Sequence, residues 1–507
     1  MTTSRVLTRN IFSNWSNLGV NVVVGFLMLP FLVSRLGDSL YGIWVLVVAV
    51  VGYGNLLDFG VRSSIVKYVS QRHATNDREG LQRLFNTTLV AYSAIGVVIL
   101  ALAAGAAAFL SQLFVIPSEL SAEARVVVVV VGLNLALKFP SGVFEGFLTG
   151  LQRYELANAI AIGATLLRAS LTVAWLLGGG KLLALAAVGL MTDTLMSVVI
   201  ASVCWRLLPW LALRRRYLSG ATLREVYVFG LWSSVIAVAS RIIYDSDAIL
   251  IGALLPASAI THFAVGNNPV RYLRQLAYGF GNVFTPAASD LEARGDRERL
   301  GRLLIRGSHF AMVVILPAAL LLAVFGREFL ALWIGPRFAV ESGAVLVILV
   351  LSQTFAMAQF PAGAVLYGLN RHRDLAFILI AEAILKVVLS LTFMPSFGIV
   401  GIALGTAIPE LVASLVLIPI LATRFTGVPL SRYFREVFFR PIACSPPVAL
   451  LVISLKIAAP PVTWALLLLE VVAGLVLYAA LALRYCVDAS ERVALMVALR
   501  RKARWLA

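Results

Sequence analysis

Six polar side chains recur along one hydrophobic stretch, residues 257–286 of a 507-residue chain. As a helix rising about 1.5 Å per residue, this stretch is long enough to cross a hydrocarbon core of ~30 Å. The six residues share one helical face: Asn267, Arg271, Arg274, Gln275, Tyr278 and Asn282. A cation at mid-bilayer costs roughly 2.5–3.5 kcal/mol, so both arginines are expected to face a polar cavity or a partner. Their forked guanidinium groups match the oxygens of a phosphate, which predicts an anionic ligand.

Three further cations, Lys138, Arg168 and Lys386, lie well inside other hydrophobic stretches. Glu145 follows Lys138 by two helical turns, and Glu382 precedes Lys386 by one. Cations at this depth either give a cavity a positive field or form ion pairs between helices. The sequence leaves both interpretations open.

Two more charged groups contain acids and arginines at helical spacing. Arg241 and Asp245 share a face, while Asp247 points roughly the other way. This group suits a fixed salt bridge, a proton or sodium site, or a gate. Asp58 and Arg62 are four residues apart and can pair, although Arg62 could instead extend to the membrane surface.

The first hydrophobic stretch carries asparagines on one helical face. Asn10, Asn14, Asn17 and Asn21 follow one another at intervals of three or four residues. They could form hydrogen bonds between helices, worth ~0.6 kcal/mol each on average, or line the same cavity.

The composition indicates the class of protein that must position these residues. Hydrophobic residues make up 60% and charged residues 13% of the chain, against about 45–50% and 25% in soluble proteins. Apolar runs of about twenty residues recur throughout, whereas a β-barrel would show shorter alternating segments. We therefore predict an all-α polytopic membrane protein with fourteen spans. The predicted spans are 11–34, 40–66, 84–110, 124–150, 155–178, 182–208, 224–254, 257–287, 301–326, 339–368, 373–395, 399–422, 434–458 and 462–485.

The net charge of +17 is explained by topology and does not indicate nucleic-acid binding. The most cationic connections, 67–83, 206–224, 294–306 and 424–440, all fall on one side of the predicted membrane. By the positive-inside rule, this side is cytoplasmic, and both termini lie there.

An internal repeat divides the predicted spans into two lobes. Residues 70–84 and 289–303 are identical at eight of fifteen positions, and Gly-Leu-Gln-Arg at 150–153 corresponds to Gly-Leu-Asn-Arg at 368–371. At nearly the same offset, Arg168 corresponds to Lys386. Because each lobe has six spans, the lobes are predicted to be parallel, around a central cavity. The predicted domains are the first lobe at 1–208, a cytoplasmic linker at 209–223, the second lobe at 224–425, and two C-terminal spans with a basic tail at 426–507.

Motifs for covalent chemistry are absent from the sequence. It contains no G-x-x-x-x-G-K-[ST] phosphate loop, no H-E-x-x-H zinc motif and no metal-ligand spacing among its three cysteines. We therefore expect no enzyme activity, no metal site and no cofactor, apart from a proton or sodium ion as a coupling ion.

Several short segments resemble the polysaccharide biosynthesis protein family of flippases. These are the O-antigen and exopolysaccharide translocases of the multidrug/oligosaccharidyl-lipid/polysaccharide exporter superfamily. The segments are L-G-x-x-x-Y-G-x-W at 36–44, D-F-G at 58–60, K-Y-V-S at 67–70, D-A-I-L-I-G at 247–252 and the paired Gly-Leu-Gln/Asn-Arg loops.

The resemblance implies a multi-pass protein of the bacterial inner membrane that works by alternating access. The implied cargo is a polyprenyl-pyrophosphate-linked oligosaccharide, such as an undecaprenyl-pyrophosphate-linked repeat unit. Membrane lipids and, with them, a glycan polymerase and chain-length machinery are the implied partners. In the similar lipid II flippases, cavity arginines are thought to hold the pyrophosphate, and Arg62 with Arg271 or Arg274 are their nearest equivalents here.

Three other functions remain open on the sequence, and one of them is a non-transporting scaffold in which the cavity is vestigial. A cation-coupled multidrug exporter has the same fold, but its cavity should favour acids and aromatics. A membrane glycan polymerase or ligase would be expected to carry a large outer loop with catalytic Arg or His, whereas the predicted outer loops are short.

Overall fold

The computed structural model describes residues 3–281 and 284–487. For residues 3–8, 11, 228–233 and 279–281 it describes the backbone only. The described chain consists of helices joined by short connections. The first ten helices are α1 Thr3–Gly52, α2 Val61–Ala74, α3 Arg78–Leu113, α4 Ser118–Gly150, α5 Tyr154–Leu177, α6 Leu182–Leu207, α7 Gly220–Asp245, α8 Asp247–Leu254, α9 Ala257–Gly281 and α10 Phe284–Ala293. The remaining nine are α11 Arg297–Trp333, α12 Glu341–Ala358, α13 Phe360–Gly368, α14 His372–Val412, α15 Ile418–Thr426, α16 Leu430–Phe434, α17 Arg440–Ala443, α18 Ser445–Ala458 and α19 Trp464–Tyr485.

The all-helical prediction is confirmed. Within the described residues, ten helical stretches are long and apolar enough to cross a membrane. Helices suit this environment because all their backbone hydrogen bonds are made within the segment.

Two of these stretches each contain two predicted spans. α1 changes direction at Gly37 (φ 74°) and α14 at Gly398 (φ 57°). Glycine adopts such a positive φ without the steric cost of a Cβ atom. When both stretches are divided there, the ten stretches of the described residues account for twelve of the fourteen predicted spans. The predicted spans at 224–254 and 257–287 stay predictions.

The repeated loops have the same backbone geometry. Asp77 accepts a hydrogen bond from Gly80 N (2.8 Å) at the start of α3, and Asp296 accepts one from Arg299 N (3.0 Å) at the start of α11. The residues before these caps are left-handed, with φ 55° at Asn76 and 67° at Gly295. A side-chain cap of this kind satisfies a backbone donor that the first helical turn leaves unpaired. The sequence repeat is therefore also a structural repeat.

The second pair of repeated loops also matches. Gln152 has φ 57° and Asn370 has φ 59°. The next amide donates back to the helix end in each case, from Arg153 N to Leu148 O (2.9 Å) and from Arg371 N to Leu366 O (2.8 Å).

The chain forms two compact units, Met1–Ala264 and Val265–Ala507, and their boundary falls inside α9. The predicted lobe boundary at 209–223 stays a prediction. In the first unit, this segment lies along α3, where Asn86 Nδ2 donates to Ala212 O (3.0 Å) and Arg214 N donates to Asn86 Oδ1 (2.8 Å).

The core of the first unit lies between α2, α3, α4 and α6. Phe85 packs edge-on against Phe144 and Phe147, with ring centroids 5.4 and 5.5 Å apart. α1 approaches α9 closely, since a Cβ atom on Gly42 would collide with the carbonyl of Ala257. This packing fixes the helices around a polar interior described below.

In the second unit, α11 packs against two separate layers. One layer contains α13, α14, α15 and the π-helical turn at Arg435–Phe439; the other contains α18 and α19. Tyr433 is fully buried, and its hydroxyl donates to Gln359 Oε1 (2.7 Å). The two C-terminal spans are therefore integral to this unit.

Candidate functional site: a charged cavity in the first unit

A polar cavity of about 360 Å³ opens in the first unit between α1, α2, α4, α5 and α6. Three of the predicted site cations, Arg62, Lys138 and Arg168, line it together, although they come from three different helices. Its other polar lining residues are Asn21, Ser141, Glu145, Thr165, Asp193 and Ser197. Folding thus brings together charges that are about a hundred residues apart in the sequence.

Arg62 forms an ion pair with Glu145 of α4. This corrects the predicted pairing of Arg62 with Asp58. The helix is interrupted between the two residues, because Phe59 (φ 46°) and Gly60 (φ 71°) are both left-handed and α2 begins only at Val61. A spacing of four residues places side chains together only within a continuous helix. The break turns Arg62 towards the cavity.

Asp58 is instead the acceptor of a hydrogen bond from the Tyr92 hydroxyl of α3. Tyr92 is almost fully buried, so this bond satisfies a polar group that would otherwise be costly inside the bundle. Asp58 does not line the cavity of the first unit.

Asp193 of α6 interacts with the other two cations of the cavity. Arg168 of α5 forms an ion pair with Asp193 Oδ1, and Lys138 Nζ of α4 lies 4.0 Å from Asp193 Oδ2. Asn134 Nδ2 donates to the same Oδ2 atom (3.0 Å), and Arg168 Nε donates to Thr192 Oγ1 (3.3 Å). One carboxylate therefore joins three helices of the first unit.

The exposed fractions of these side chains distinguish the structural carboxylate, Asp193, from the cations that can bind a ligand. Asp193 is 10% exposed, whereas Arg168 is 44%, Lys138 is 56% and Arg62 is 50% exposed. With Glu145 and Asp193 as the acids, the lining has one more cation than carboxylates. The carboxylates fix the positions of the three cationic side chains, which remain about half exposed to the cavity. This arrangement is suited to binding an anion.

The asparagine face of α1 packs against α5. Asn158 Nδ2 donates to Asn14 Oδ1 (2.7 Å), and Thr165 Oγ1 donates to Asn21 Oδ1 (3.0 Å). Asn21 Nδ2 also donates to Asn17 Oδ1 (2.9 Å). These residues therefore bridge two helices, and Asn21 also lines the cavity of the first unit.

A second polar group in the first unit surrounds Tyr53. Arg241 and Asp245 pair across one turn of α7 (3.3 Å), and the Arg241 guanidinium lies 5.8 Å from the Tyr53 ring centroid. Asp247 is buried at the start of α8, close enough to Tyr53 to interact electrostatically. None of these residues lines the cavity described above.

The polar face of α9 divides into two environments, and of the two arginines expected to face a cavity or a partner, Arg274 has a partner. Arg271 is exposed, but Arg274 is buried and its Nη1 donates to Gln353 Oε1 of α12 (2.7 Å). Tyr278 is exposed and stacks on Phe360, with centroids 4.3 Å apart. Gln275 is partly exposed, Asn267 is buried, and Asn282 lies outside the described residues.

Lys386 and Glu382 lie in the packed interior of the second unit, so of the two interpretations left open for them, the open cavity does not fit. Lys386 is 0% exposed, and Glu382 is also buried. Glu382 lies within electrostatic range of Lys386 and of Glu410. Glu410 in turn accepts a hydrogen bond from Ser352 Oγ (3.0 Å). An ammonium group is stable at such depth only beside carboxylates and hydrogen-bond partners.

Sequence reasoning gave no role to four residues that determine these sites. They are Glu145, Asp193, Gln353 and Glu410. Each is a polar residue inside an apolar helix, and this pattern is visible in the sequence. Their partners lie on other helices, so spacing along one helix could not assign them.

No group of three or more His, Cys, Asp or Glu side chains that could hold a metal ion occurs in the part of the chain that the structure describes.

The fold and the charged cavity define a polytopic helical membrane protein with a polar interior. Residues 32–342, more than half of the chain, match the model of a family described as "Polysaccharide biosynthesis protein". The chain belongs to this family.

Two curated relatives and one solved structure are similar over most of their length. The membrane protein EpsK of Bacillus subtilis, described as uncharacterised, is 25% identical over 86% of both chains. A putative O-antigen transporter of Shigella flexneri is 20% identical over 81% of this chain and 96% of its own. The lipid II flippase MurJ, in an inward closed conformation, superposes with a TM-score of 0.69 at 13% identity, over 93% of this chain and 97% of that one. This last similarity concerns the fold alone.

Proposed function

We propose that this protein flips polyprenyl-pyrophosphate-linked oligosaccharides from the inner to the outer leaflet of the bacterial inner membrane. The observation that carries the proposal is the cavity of the first unit, where Arg62, Lys138 and Arg168 remain about half exposed inside an apolar bundle. The names of the family and of the O-antigen transporter support the same substrate class.

The chemistry of the cargo matches this cavity. A pyrophosphate is strongly anionic and heavily hydrated, so it crosses hydrocarbon only through a polar route with compensating cations. Arginine binds two phosphate oxygens at once. As the pyrophosphate enters, Arg62 and Arg168 exchange Glu145 and Asp193 for phosphate oxygens, while Lys138 adds a point charge. The polyprenyl chain remains in the lipid.

Alternating access with both termini in the cytoplasm follows from the positive-inside pattern and from the repeat of the two halves. Such a cycle requires no covalent bond to form or break, so we infer a transporter without enzymatic activity. An ion gradient provides the energy, and the buried Glu382, Lys386 and Glu410 group is the candidate proton or sodium relay. A glycan polymerase and chain-length proteins would receive the exported unit.

The proposal is tested with purified protein in liposomes that contain a fluorescent undecaprenyl-pyrophosphate oligosaccharide. Transport is measured as the fraction of label that becomes accessible to a quencher on the opposite side. We expect Arg62→Ala to reduce transport at least tenfold. Arg35→Ala, at an exposed position outside the cavity lining, is the matched control and should transport normally.

A cation-coupled multidrug exporter would behave differently in the same liposomes. It would accumulate a cationic dye, and Arg62→Ala would leave or improve dye transport because the substitution removes a repulsive charge. Dye transport without glycolipid transport would overturn the proposal.

A further inference from the structure

A second cavity, of about 150 Å³, lies in the second unit at the cation-rich ends of its helices. It is lined by Arg302, Ile305, Arg306 and His309 of α11, by Arg432 and Glu436, by Arg440 of α17, and by Cys486 just after α19. Four arginines thus converge on one opening with a single carboxylate in its wall. The proposed transport mechanism does not use this cavity.

His309 holds the wall of the cavity together. Its Nδ1 lies 2.6 Å from Glu436 O, and its Nε2 lies 2.9 Å from Cys486 O. Both contacts are with backbone carbonyl oxygens, so the ring links the π-helical turn at Arg435–Phe439 to the end of α19.

Carboxylates on the same helical segments pair with Arg302 and Arg432. Arg302 pairs with Glu298 (2.7 Å), and Arg432 pairs with Glu436 (2.9 Å). Glu298 does not line the cavity, and Glu436 is the one acid among the lining residues that the structure describes. Burial and the neighbouring Cys444 raise the pKa of the Cys486 thiol to about 12, so this lining group stays neutral at physiological pH.

The surface beside the cavity is apolar. Phe310 follows His309, Phe439 precedes Arg440, and Tyr485 precedes Cys486, and all three aromatic side chains are exposed. They belong to helical stretches that are long and apolar enough to cross the membrane. Large apolar side chains that are exposed on such helices are expected to lie against lipid.

We propose that this cavity binds the phosphate group of an anionic glycerophospholipid whose acyl chains lie against Phe310, Phe439 and Tyr485. At ~30 Å³ per water, the cavity holds about five waters. It can therefore hold one phosphate group and is too small for an oligosaccharide. Arginine side chains bind phosphate through charge-assisted hydrogen bonds, and basic pockets between membrane helices bind lipid headgroups in this way. The lipid is a bound ligand that joins α11 to the two C-terminal spans.

The test uses the full chain in detergent, titrated with dioctanoyl phosphatidylglycerol or dioctanoyl phosphatidylcholine while intrinsic tryptophan fluorescence and the unfolding temperature are followed. We expect the phosphatidylglycerol to bind more tightly and to raise the unfolding temperature. Arg306→Gln with Arg440→Gln should weaken its binding at least tenfold. Arg435 is an exposed arginine on the π-helical turn that carries Glu436, and it lies outside the cavity lining. The Arg435→Gln variant should therefore bind the phosphatidylglycerol normally.

Arg440→Gln alone covers the case in which the double variant does not fold, and a threefold or greater loss is expected from it. Inorganic phosphate in a parallel titration separates the two sources of the phosphate group. Equal binding of the two lipids, equal losses in the Arg440 and Arg435 variants, or displacement of the lipid by micromolar inorganic phosphate would each overturn the proposal. Because no transport is measured, these results do not depend on the proposed flippase function.

Discussion

Asp193 lies between Arg168 and Lys138, and its pair with Arg168 links α6 to α5 across the cavity of the first unit. The carboxylate is nearly buried while the guanidinium is partly open. Asp193 thus has mainly a structural role in this ion pair, whereas Arg168 can also contact a ligand. Substitutions can distinguish the effect of the pair on stability from its effect on ligand binding.

The first prediction concerns this pair. Arg168→Gln leaves the buried Asp193 with a more distant cation, so the free energy of unfolding should fall by about 1–3 kcal/mol. Glycolipid transport should fall as well. In the double variant Arg168→Gln/Asp193→Asn, stability should recover while transport stays low, as measured by thermal unfolding and the liposome assay. Normal transport in the double variant would show that Arg168 has only a structural role.

The second prediction concerns Arg62 and Glu145, which are both about half exposed. Exposed ion pairs contribute roughly 0–1 kcal/mol, so neither Arg62→Gln nor Glu145→Gln should change the unfolding temperature much. Arg62→Gln should weaken binding of the lipid-linked pyrophosphate at least tenfold. Glu145→Gln should strengthen binding, because it releases Arg62 from its competitor. Parallel losses in both variants would contradict a competitive exchange.

The third prediction compares Arg271 with Arg274 on α9. Arg274→Gln removes the buried donor to Gln353 Oε1, and the free energy of unfolding should fall by about 1–3 kcal/mol. Arg271 is exposed, so Arg271→Gln should leave stability within about 0.5 kcal/mol and reduce glycolipid transport. Thermal unfolding of both variants, followed by transport assays on those that fold, checks this distinction. An equal loss of stability in the two variants would refute it.

The fourth prediction concerns the buried Lys386. Lys386→Met leaves Glu382 and Glu410 together in an apolar interior without this cation, which should cost about 3–5 kcal/mol of stability. Adding Glu410→Gln should restore most of this loss, because it removes one buried charge. The single and double variants are compared by chemical denaturation in detergent, and a single variant as stable as the unsubstituted protein would rule out a charge network.

The fifth prediction uses the structural repeat as its own control. Gln152 and Asn370 occupy equivalent left-handed positions, and asparagine tolerates this conformation better than glutamine does. Gln152→Asn should therefore raise stability by a few tenths of a kcal/mol, up to about 1 kcal/mol, and Asn370→Gln should lower it by a similar amount. Shifts of the same sign in the two unfolding temperatures would contradict this explanation.

Hydropathy was sufficient to predict the helices, because the requirement for internal backbone hydrogen bonds in lipid leaves few alternatives. The repeat could also be read from the sequence, since its loops depend on local capping residues such as Asp77 and Asp296. The short L-G-x-x-x-Y-G pattern has a physical basis too. Gly37 provides a positive φ, and Gly42 allows close contact with Ala257.

The pairing of charges could not be predicted in the same way. Periodicity along one helix suggested Asp58 as the partner of Arg62, but a helix break intervenes and the partner lies on α4. Periodicity also gave Arg271 and Arg274 one environment, although packing against Gln353 buries only the second. Such partners depend on how helices rotate against each other, which a single sequence does not specify.

The matching turns at Asp77 and Asp296 have an evolutionary consequence. Tandem duplication of an ancestral segment that contained this turn accounts for both copies, because a tandem copy preserves the local cap together with its helix. Chimeras between homologues with crossovers outside these turns should therefore keep them, whereas crossovers inside a cap would disrupt them.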